Sequence, residues 1–257
     1  MTRHVLRPGF HVLRREHDQV QIGLQPHHAV ILDLTPDVRR TLDTLAVAGP
    51  AEGCDPEVMA ALDTLGLLVQ LPLARVRPPR PAIEIRAYGA SPLLGLDALV
   101  EDPGEGDPQA VLLVGAGEID RSEVDPLMQA GLPHCLVRFM EGDALIGPLV
   151  MPGVSPCVRC LDAHQRDHDP RWPLLVASHA RASALPRADG LGDHIDEDLA
   201  RLALAWALND LRCWLRGGAA TTVGGTVTVS GQTGEVEITH WRPHPGCGCG
   251  WSVTMEA

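Results

Sequence analysis

The sequence predicts an α/β protein: a parallel sheet covered by helices, preceded by a small winged-helix-like module. Three observations carry that expectation. Residues 10–34 alternate apolar and polar side chains in three short runs, and two amphipathic stretches follow. From residue 82 onward, apolar runs of strand length alternate with helical periodicity, as in strands joined by helical crossovers. Between the two lies "LPLARVRPPRP", Leu71 to Pro81, whose prolines cannot sustain a helix. The boundaries are therefore 1–71 for the module, 72–81 for a stiff Pro-rich linker and 82–257 for the larger domain.

In the module, "FHVLRRE", a two-residue turn at His17-Asp18, "QVQIGL", a bend at Pro26 and "HHAVILDL" read as three antiparallel strands. Thr35 is a good N-cap with Pro36 at the first helical position, so a helix runs through "DVRRTLDTLA" to Gly49-Pro50. In "DPEVMAALDTLGLL" the spacing of Val58, Ala61, Leu62 and Leu65 places all four on one face of a second helix. Beyond the linker, "AIEIRAYG" is a strand and "SPLLGLDALVED" a helix. "AVLLVGAG" is a doubly buried strand, "DRSEVDPLMQAGL" a helix and "HCLVRFM" the next strand. Leu199, Leu202, Ala203, Trp206 and Leu211 stripe a long helix from about Asp196 to Arg216, which stops at Gly217-Gly218. The stretch "TVTVSGQTGEVEITHW" then forms a hairpin.

Composition excludes several functions. The formal charge of −12 disfavours nucleic acid and anionic lipid as partners. All the surplus lies downstream of residue 80, because residues 1–80 balance nine arginines against nine Asp and Glu. All 21 basic residues are arginine, in keeping with GC-rich coding, so no mechanism that needs a lysine amine is available. A DNA-reading winged helix needs a basic recognition helix, yet "DPEVMAALDTLGLL" carries no positive charge. No apolar run is long enough to span a membrane or to serve as a secretory signal, so the expected location is cytoplasmic.

In that reducing compartment, seven cysteines argue against a disulfide framework. Cys54, Cys135 and Cys213 are scattered, as buried small hydrophobes are. Cys157 and Cys160 form a Cys-x-x-Cys pair, and Cys247 and Cys249 a second close pair in "RPHPGCGCGW". Two such pairs far apart in sequence suit a tetrahedral four-thiolate zinc site, each loop supplying two ligands. The competing readings are a redox pair and unligated thiols. A thioredoxin-like redox motif accounts for the first pair only. With four protein ligands the metal has no open position and is structural. His164, His168 and His244 lie close in sequence and offer substitute or supporting groups.

The string "GPLVMPGVSPCVRCLDAHQRDHDPRWP" together with the terminal "HPGCGC" resembles the ThiF-like, or E1-like, proteins of azoline-forming ribosomal peptide biosynthesis, over roughly residues 82–250. The N-terminal module is similar to the PqqD-like recognition element of peptide-modifying systems. The resemblance implies a degenerate E1-like Rossmann-type domain behind a leader-peptide-binding winged helix, and a YcaO-type cyclodehydratase as partner. It places the leader on the edge strand Ala29, Val30, Ile31 and Leu32 and against Val58, Ala61, Leu62 and Leu65. Active E1-like enzymes carry a glycine-rich nucleotide loop after the first strand. Here "YGASPLLG" keeps Gly89 and Gly95 but has Ser91 and Pro92 between them, and "GAGEID" lacks a third glycine. The expectation is a non-catalytic subunit with structural Zn2+ and no ATP chemistry, its apolar surfaces serving a homodimer or the docking of the partner enzyme. The alternative is an ATP-dependent adenylyltransferase of the ThiF or MoeB type.

Overall fold

The structure, a computed structural model, describes residues 3–49, 53–71, 81–89, 107–186, 188–189 and 195–250. The chain divides into two compact units, Met1–Arg77 and Pro78–Ala257. The expected helix "SPLLGLDALVED", with Ser91, Pro92 and Gly95, lies outside the described residues, as does nearly all of the expected linker.

The first unit contains β1 (Arg3–Leu6), β2 (Val12–Arg14), β3 (Gln19–Ile22), β4 (Val30–Asp33), α1 (Pro36–Ala46), α2 (Pro56–Thr64) and β5 (Leu68–Leu71). The strands β2, β3 and β4 form an antiparallel sheet in that order. The connection from β2 to β3 is longer than a two-residue turn: Arg15 and Glu16 both donate backbone N–H to Gln19 O. Thr35 caps α1 by accepting from Val38 N, and Asp55 caps α2 by accepting from Glu57 N and Val58 N. Both helices carry proline in the first turn, where no backbone donor is needed. Val20, Ile22, Val38, Leu42, Leu45, Leu62 and Leu67 form the core. The strands β1 and β5 pair with each other and have no counterpart in the sequence reading. Four residues each are too few for a period of two to register. The apolar run after α2 belongs to β5, because the helix ends at Thr64 and Gly66 turns the chain with φ of 66°.

The second unit is built on a six-stranded sheet of β6 (Ile83–Tyr88), β7 (Ala110–Ala116), β8 (His134–Met140), β9 (Asp143–Val150), β10 (Gly225–Ser230) and β11 (Val236–His240), hydrogen-bonded in that order. The expectation of a parallel sheet holds for β6, β7 and β8, whereas β9, β10 and β11 run antiparallel, so the sheet is mixed. The reversal comes at Glu141-Gly142, with φ of 56° and 93°, the pair of positive values that a two-residue hairpin requires. Sequence reading passes over β9 because Gly147 and Pro148 interrupt its apolar run. Pro148 is tolerated where β9 has run past its ladder with β10, which covers only Asp143 to Ile146.

Helices cover both faces. On one, α6 (Glu197–Leu215), capped by Asp196, buries Leu199, Ala203, Leu204, Ala207, Leu208 and Leu211 against Leu112, Val114, Val137 and Ile146. On the other, α3 (Arg121–Gln129) and α4 (Val158–His168) supply Val124, Leu127 and Val158 to a core with Val111, Leu113 and Leu136. A further helix, α5 (Trp172–Ser183), packs against α4. Consecutive residues of β7 thus feed opposite cores, which is why its sequence is apolar without alternation. The predicted stripe on α6 needs one correction: Leu202 is 48 % exposed, and Leu204, Ala207 and Leu208 take the inward positions. Asp210, buried on the same helix, accepts from the backbone N and Oγ1 of Thr222 and so ties down the entry to β10.

The contrast between Leu136, fully buried, and Leu202 sets a stability test. Leu136→Ala is expected to destabilise the second unit by about 2–5 kcal/mol through lost burial and a residual cavity. Leu202→Ala is expected to change stability by no more than about 0.5 kcal/mol. Urea unfolding monitored by circular dichroism measures both.

Candidate metal centre and the polar cluster at the strand ends

The Cys-x-x-Cys pair sits at the start of α4. Cys157 is the N-cap residue and Cys160 lies in the first turn, three residues on, so the two sulfurs share one side of the helix. No side chain caps this end, leaving the backbone donors and their partial positive charge facing the thiols. The second pair follows β11. Trp241 fixes the departing chain, its backbone N donating to Gly224 O and its Nε1 to Thr226 Oγ1. A tight turn closes with Cys247 N donating to His244 O at 3.0 Å. Gly248, with φ of 77°, bends the backbone between Cys247 and Cys249 so that both point the same way.

All four Sγ atoms lie within 4.8 Å of one another. The contacts Cys157–Cys247 at 3.5 Å, Cys160–Cys249 at 3.3 Å and Cys157–Cys160 at 3.9 Å bracket the edge of about 3.8 Å that a tetrahedron of metal–sulfur bonds near 2.3 Å would have. Cys157 and Cys160 are buried, and Val150, Leu161, Met128 and Trp241 pack around the sulfurs. Cys160 ionises most readily, its value lowered to about 4: the Cys157 thiol donates to its thiolate, burial opposes, and the His244 backbone N–H adds a second donor. Cys249 is pushed the other way, to about 12, by burial and by the hydrogen bond and negative charge at Cys160. Cys157 rises for the same reasons, led by its hydrogen bond to Cys160. One thiolate is thus stable here and a second is opposed, which is the electrostatic condition that a bound cation relieves. The four residues are able to hold a metal ion and leave it no open protein-free position.

A second constellation, which the sequence reading does not anticipate, lies at the carboxyl ends of β7 and β8. Glu118 is buried between Arg138, at 2.8 Å, and Arg121, also at 2.8 Å. Arg121 also pairs with Asp162 through two hydrogen bonds, and Trp172 Nε1 donates to Asp162. Tyr88 lies over Gly115, where a Cβ would come within 2.6 Å of its ring, and its hydroxyl donates to Gly117 O. Burial opposes ionisation of Glu118, but the Arg138 and Arg121 guanidiniums outweigh it and hold the carboxyl below its ordinary value. The available sequence signal is Arg138, a charge inside the otherwise apolar "HCLVRFM", which demands a buried partner.

Of the nucleotide-loop residues, Gly89 ends β6 with φ of 82°, and a Cβ there would meet Ala116 O at 3.2 Å; Gly95 lies outside the described residues. In the first unit β4 is an edge strand of its sheet among the described residues. Val30 and Leu32 are half-buried and pack against the core, Ala29 is half-buried before the strand, and Ile31 is exposed. The four residues of α2 do not form one stripe: Leu62 is sealed in the core and Val58 is half-buried beside it, whereas Ala61 and Leu65 are exposed.

Comparison with solved structures shows the same fold in two groups of proteins. "Structure of the heterocyclase TruD" matches with a TM-score of 0.67 at 17% identity, covering 97% of this chain and 43% of the other. "Heterocyclase in complex with substrate and Cofactor" matches with a TM-score of 0.70 at 18% identity, covering 96% of this chain and 39% of the other. E. coli MccB, solved with ATP, matches with a TM-score of 0.60 at 10% identity over 97% of this chain and 99% of its own. The architecture is thus the E1-like α/β fold with its small N-terminal unit, as the resemblance implies. The chain spans about two fifths of the heterocyclases it matches. No family model and no curated protein matches it. Among the described residues no helix is long and apolar enough to cross a membrane.

The Glu118 cluster makes stability depend on pH with a definite sign. A carboxyl whose folded value is depressed contributes stability above its unfolded value, and the contribution is lost as pH falls through the folded one. Wild-type protein is therefore expected to lose stability on acidification from about pH 5. Glu118→Gln, which leaves the guanidiniums without their carboxylate, should cost about 3–5 kcal/mol at neutral pH. The gap from wild type should narrow in acid. Thermal melts of both proteins across pH 3–7 check the sign.

Proposed function

We propose that this chain is a non-catalytic, leader-peptide-binding subunit that captures a ribosomal precursor peptide in the cytoplasm. It would deliver the peptide to a YcaO-type cyclodehydratase that forms the azoline from Cys, Ser or Thr. The observation that carries this reading is the edge strand β4, whose half-buried Val30 and Leu32 border the core that also holds Val58 and Leu62. An extended peptide satisfies the backbone groups of such an edge, and its alternate side chains find apolar neighbours at Val30, Leu32, Val58 and the exposed Ala61 and Leu65. Tethering the leader then acts by raising the effective concentration of the core peptide at the partner's site.

Strand order supports the absence of ATP chemistry in this chain. Open α/β sheets bind nucleotides where the strand order reverses, in the crevice outside the carboxyl ends. Here the order runs from β6 to β11 without reversal among the described residues. Zn2+ held by Cys157, Cys160, Cys247 and Cys249 would be structural, pinning the tail to α4.

The experiment is fluorescence anisotropy of labelled candidate leader peptides, the N-terminal segments of short precursors with Cys/Ser/Thr-rich tails, titrated with the full-length protein. Binding in the micromolar to submicromolar range is expected, since ordering a disordered peptide consumes about 2–5 kcal/mol of the gross interaction. Val30→Asp and the exposed-site variant Leu65→Asp should each weaken binding about tenfold or more, with unchanged melting of the second unit. Unaltered affinity in both variants removes the recognition site from this edge. Peptide-stimulated ATP–pyrophosphate exchange by the chain alone would establish the adenylyltransferase reading, which the likeness to MccB otherwise favours.

A further inference from the structure

The knuckle that presents Cys247 and Cys249 is held by a histidine whose two ring nitrogens are both committed. His244 Nδ1 accepts the backbone N–H of Gly246 at 3.0 Å, inside the knuckle. That nitrogen is therefore unprotonated in this arrangement, and Nε2 carries the proton that it donates to Asp167 Oδ2 at 2.9 Å. Asp167 belongs to α4, the helix that also bears Cys157 and Cys160. The side chain of His244 is only 10 % exposed, and its ring meets the edge of His164 with centroids 4.8 Å apart. His164 in turn bonds Arg242 O through Nε2 at 2.9 Å, so both flanks of the turn are tied to α4. The backbone of His244 completes the arrangement: its N–H donates to Cys160 Sγ at 3.3 Å and its carbonyl accepts from Cys247 N.

We propose that Asp167 and His244 are positioning residues of the four-sulfur centre. The carboxylate orients the ring from α4, and the ring folds the knuckle so that its thiols converge on the metal while one backbone N–H donates to the Cys160 sulfur. This assignment rests on the reading of the cysteines as a zinc site. It extends that reading by adding side chains that bind no metal themselves and yet set how fast it leaves. A histidine placed only for packing would lack the directed bonds at both nitrogens, and replacing the exposed partner of such a ring would change nothing. Groups that orient ligands in this way typically contribute about 10–100-fold in metal affinity.

The test uses the full chain loaded with zinc and a chromogenic chelator in excess, with the release rate as readout. His244→Ala and Asp167→Ala are expected to bind one metal per chain at saturation but to release it about ten times faster or more. Asp167→Asn, whose Oδ1 still accepts from Nε2, should restore most of the wild-type rate, and His244→Asn should recover part of it by accepting from Gly246. Cobalt substitution adds a readout that simple stability does not move. Thiolate-to-cobalt bands should keep their four-sulfur intensity in all variants while their positions shift in His244→Ala. Because Asp167 is 56 % exposed, its alanine variant is expected to fold even if His244→Ala does not. Release from Asp167→Ala at the wild-type rate, or an asparagine variant no better than alanine, overturns the assignment. A wild-type chain that takes up no metal overturns the zinc reading itself, and this assignment with it.

Discussion

Four sulfurs from two segments some ninety residues apart converge within 4.8 Å, bringing the segment after β11 against the start of α4. Two thiols alone, at the start of α4, would behave as an ordinary helix-terminal pair with one lowered pKa. Within that pair the hydrogen bond and charge at Cys160 raise Cys157, and across it burial, with the hydrogen bond and charge at Cys160, raises Cys249; a cation is an agent that would hold such thiols as thiolates together. Once so held, the tail after β11 becomes a fixed part of the domain, and the edge hairpin is anchored at both ends. One end is Thr222, held by Asp210 ahead of β10, and the other is Trp241 after β11.

The carboxyl ends of the parallel strands β7 and β8 are occupied by a buried ion-pair cluster. Glu118 pairs with Arg138 and Arg121, and Arg121 with Asp162, while Arg138 Nε is left without a partner among the described residues; Tyr88 packs onto Gly115. Charges neutralised in this way cost desolvation, and Arg121 and Arg138 are each already engaged by a carboxylate. Among the described residues the sheet runs from β6 to β11 without reversal, and the chain contains no lysine. The first unit complements this arrangement in kind: a short sheet with a free edge among its described residues and a small apolar core.

Much of this was legible in the sequence, for physical reasons that differ by element. Thr35-Pro36, Asp55-Pro56 and Asp196 announce their helices because capping and proline placement are local. The apolar run of β7 announces a doubly covered strand, because burial on both faces removes alternation. The spacing of the cysteines brought them forward as a group, because ligand pairs are supplied by tight turns. What escaped depends on distant partners. The strands β1 and β5 exist through each other, β9 hides behind Gly147-Pro148, and Leu202 sits within the helical stripe yet faces outward. On α2, periodicity grouped Ala61 and Leu65 with Leu62, although only Leu62 and Val58 reach the core. The cluster around Glu118 left one trace, the arginine in an apolar strand, and its partners come from three other segments.

The account rests most heavily on the four-sulfur centre. X-ray absorption at the zinc edge on protein purified without added metal tests it directly. The expected result is one zinc per chain with a shell of four sulfur scatterers at about 2.3 Å. Zinc well below one per chain, or nitrogen and oxygen scatterers in place of sulfur, would contradict it.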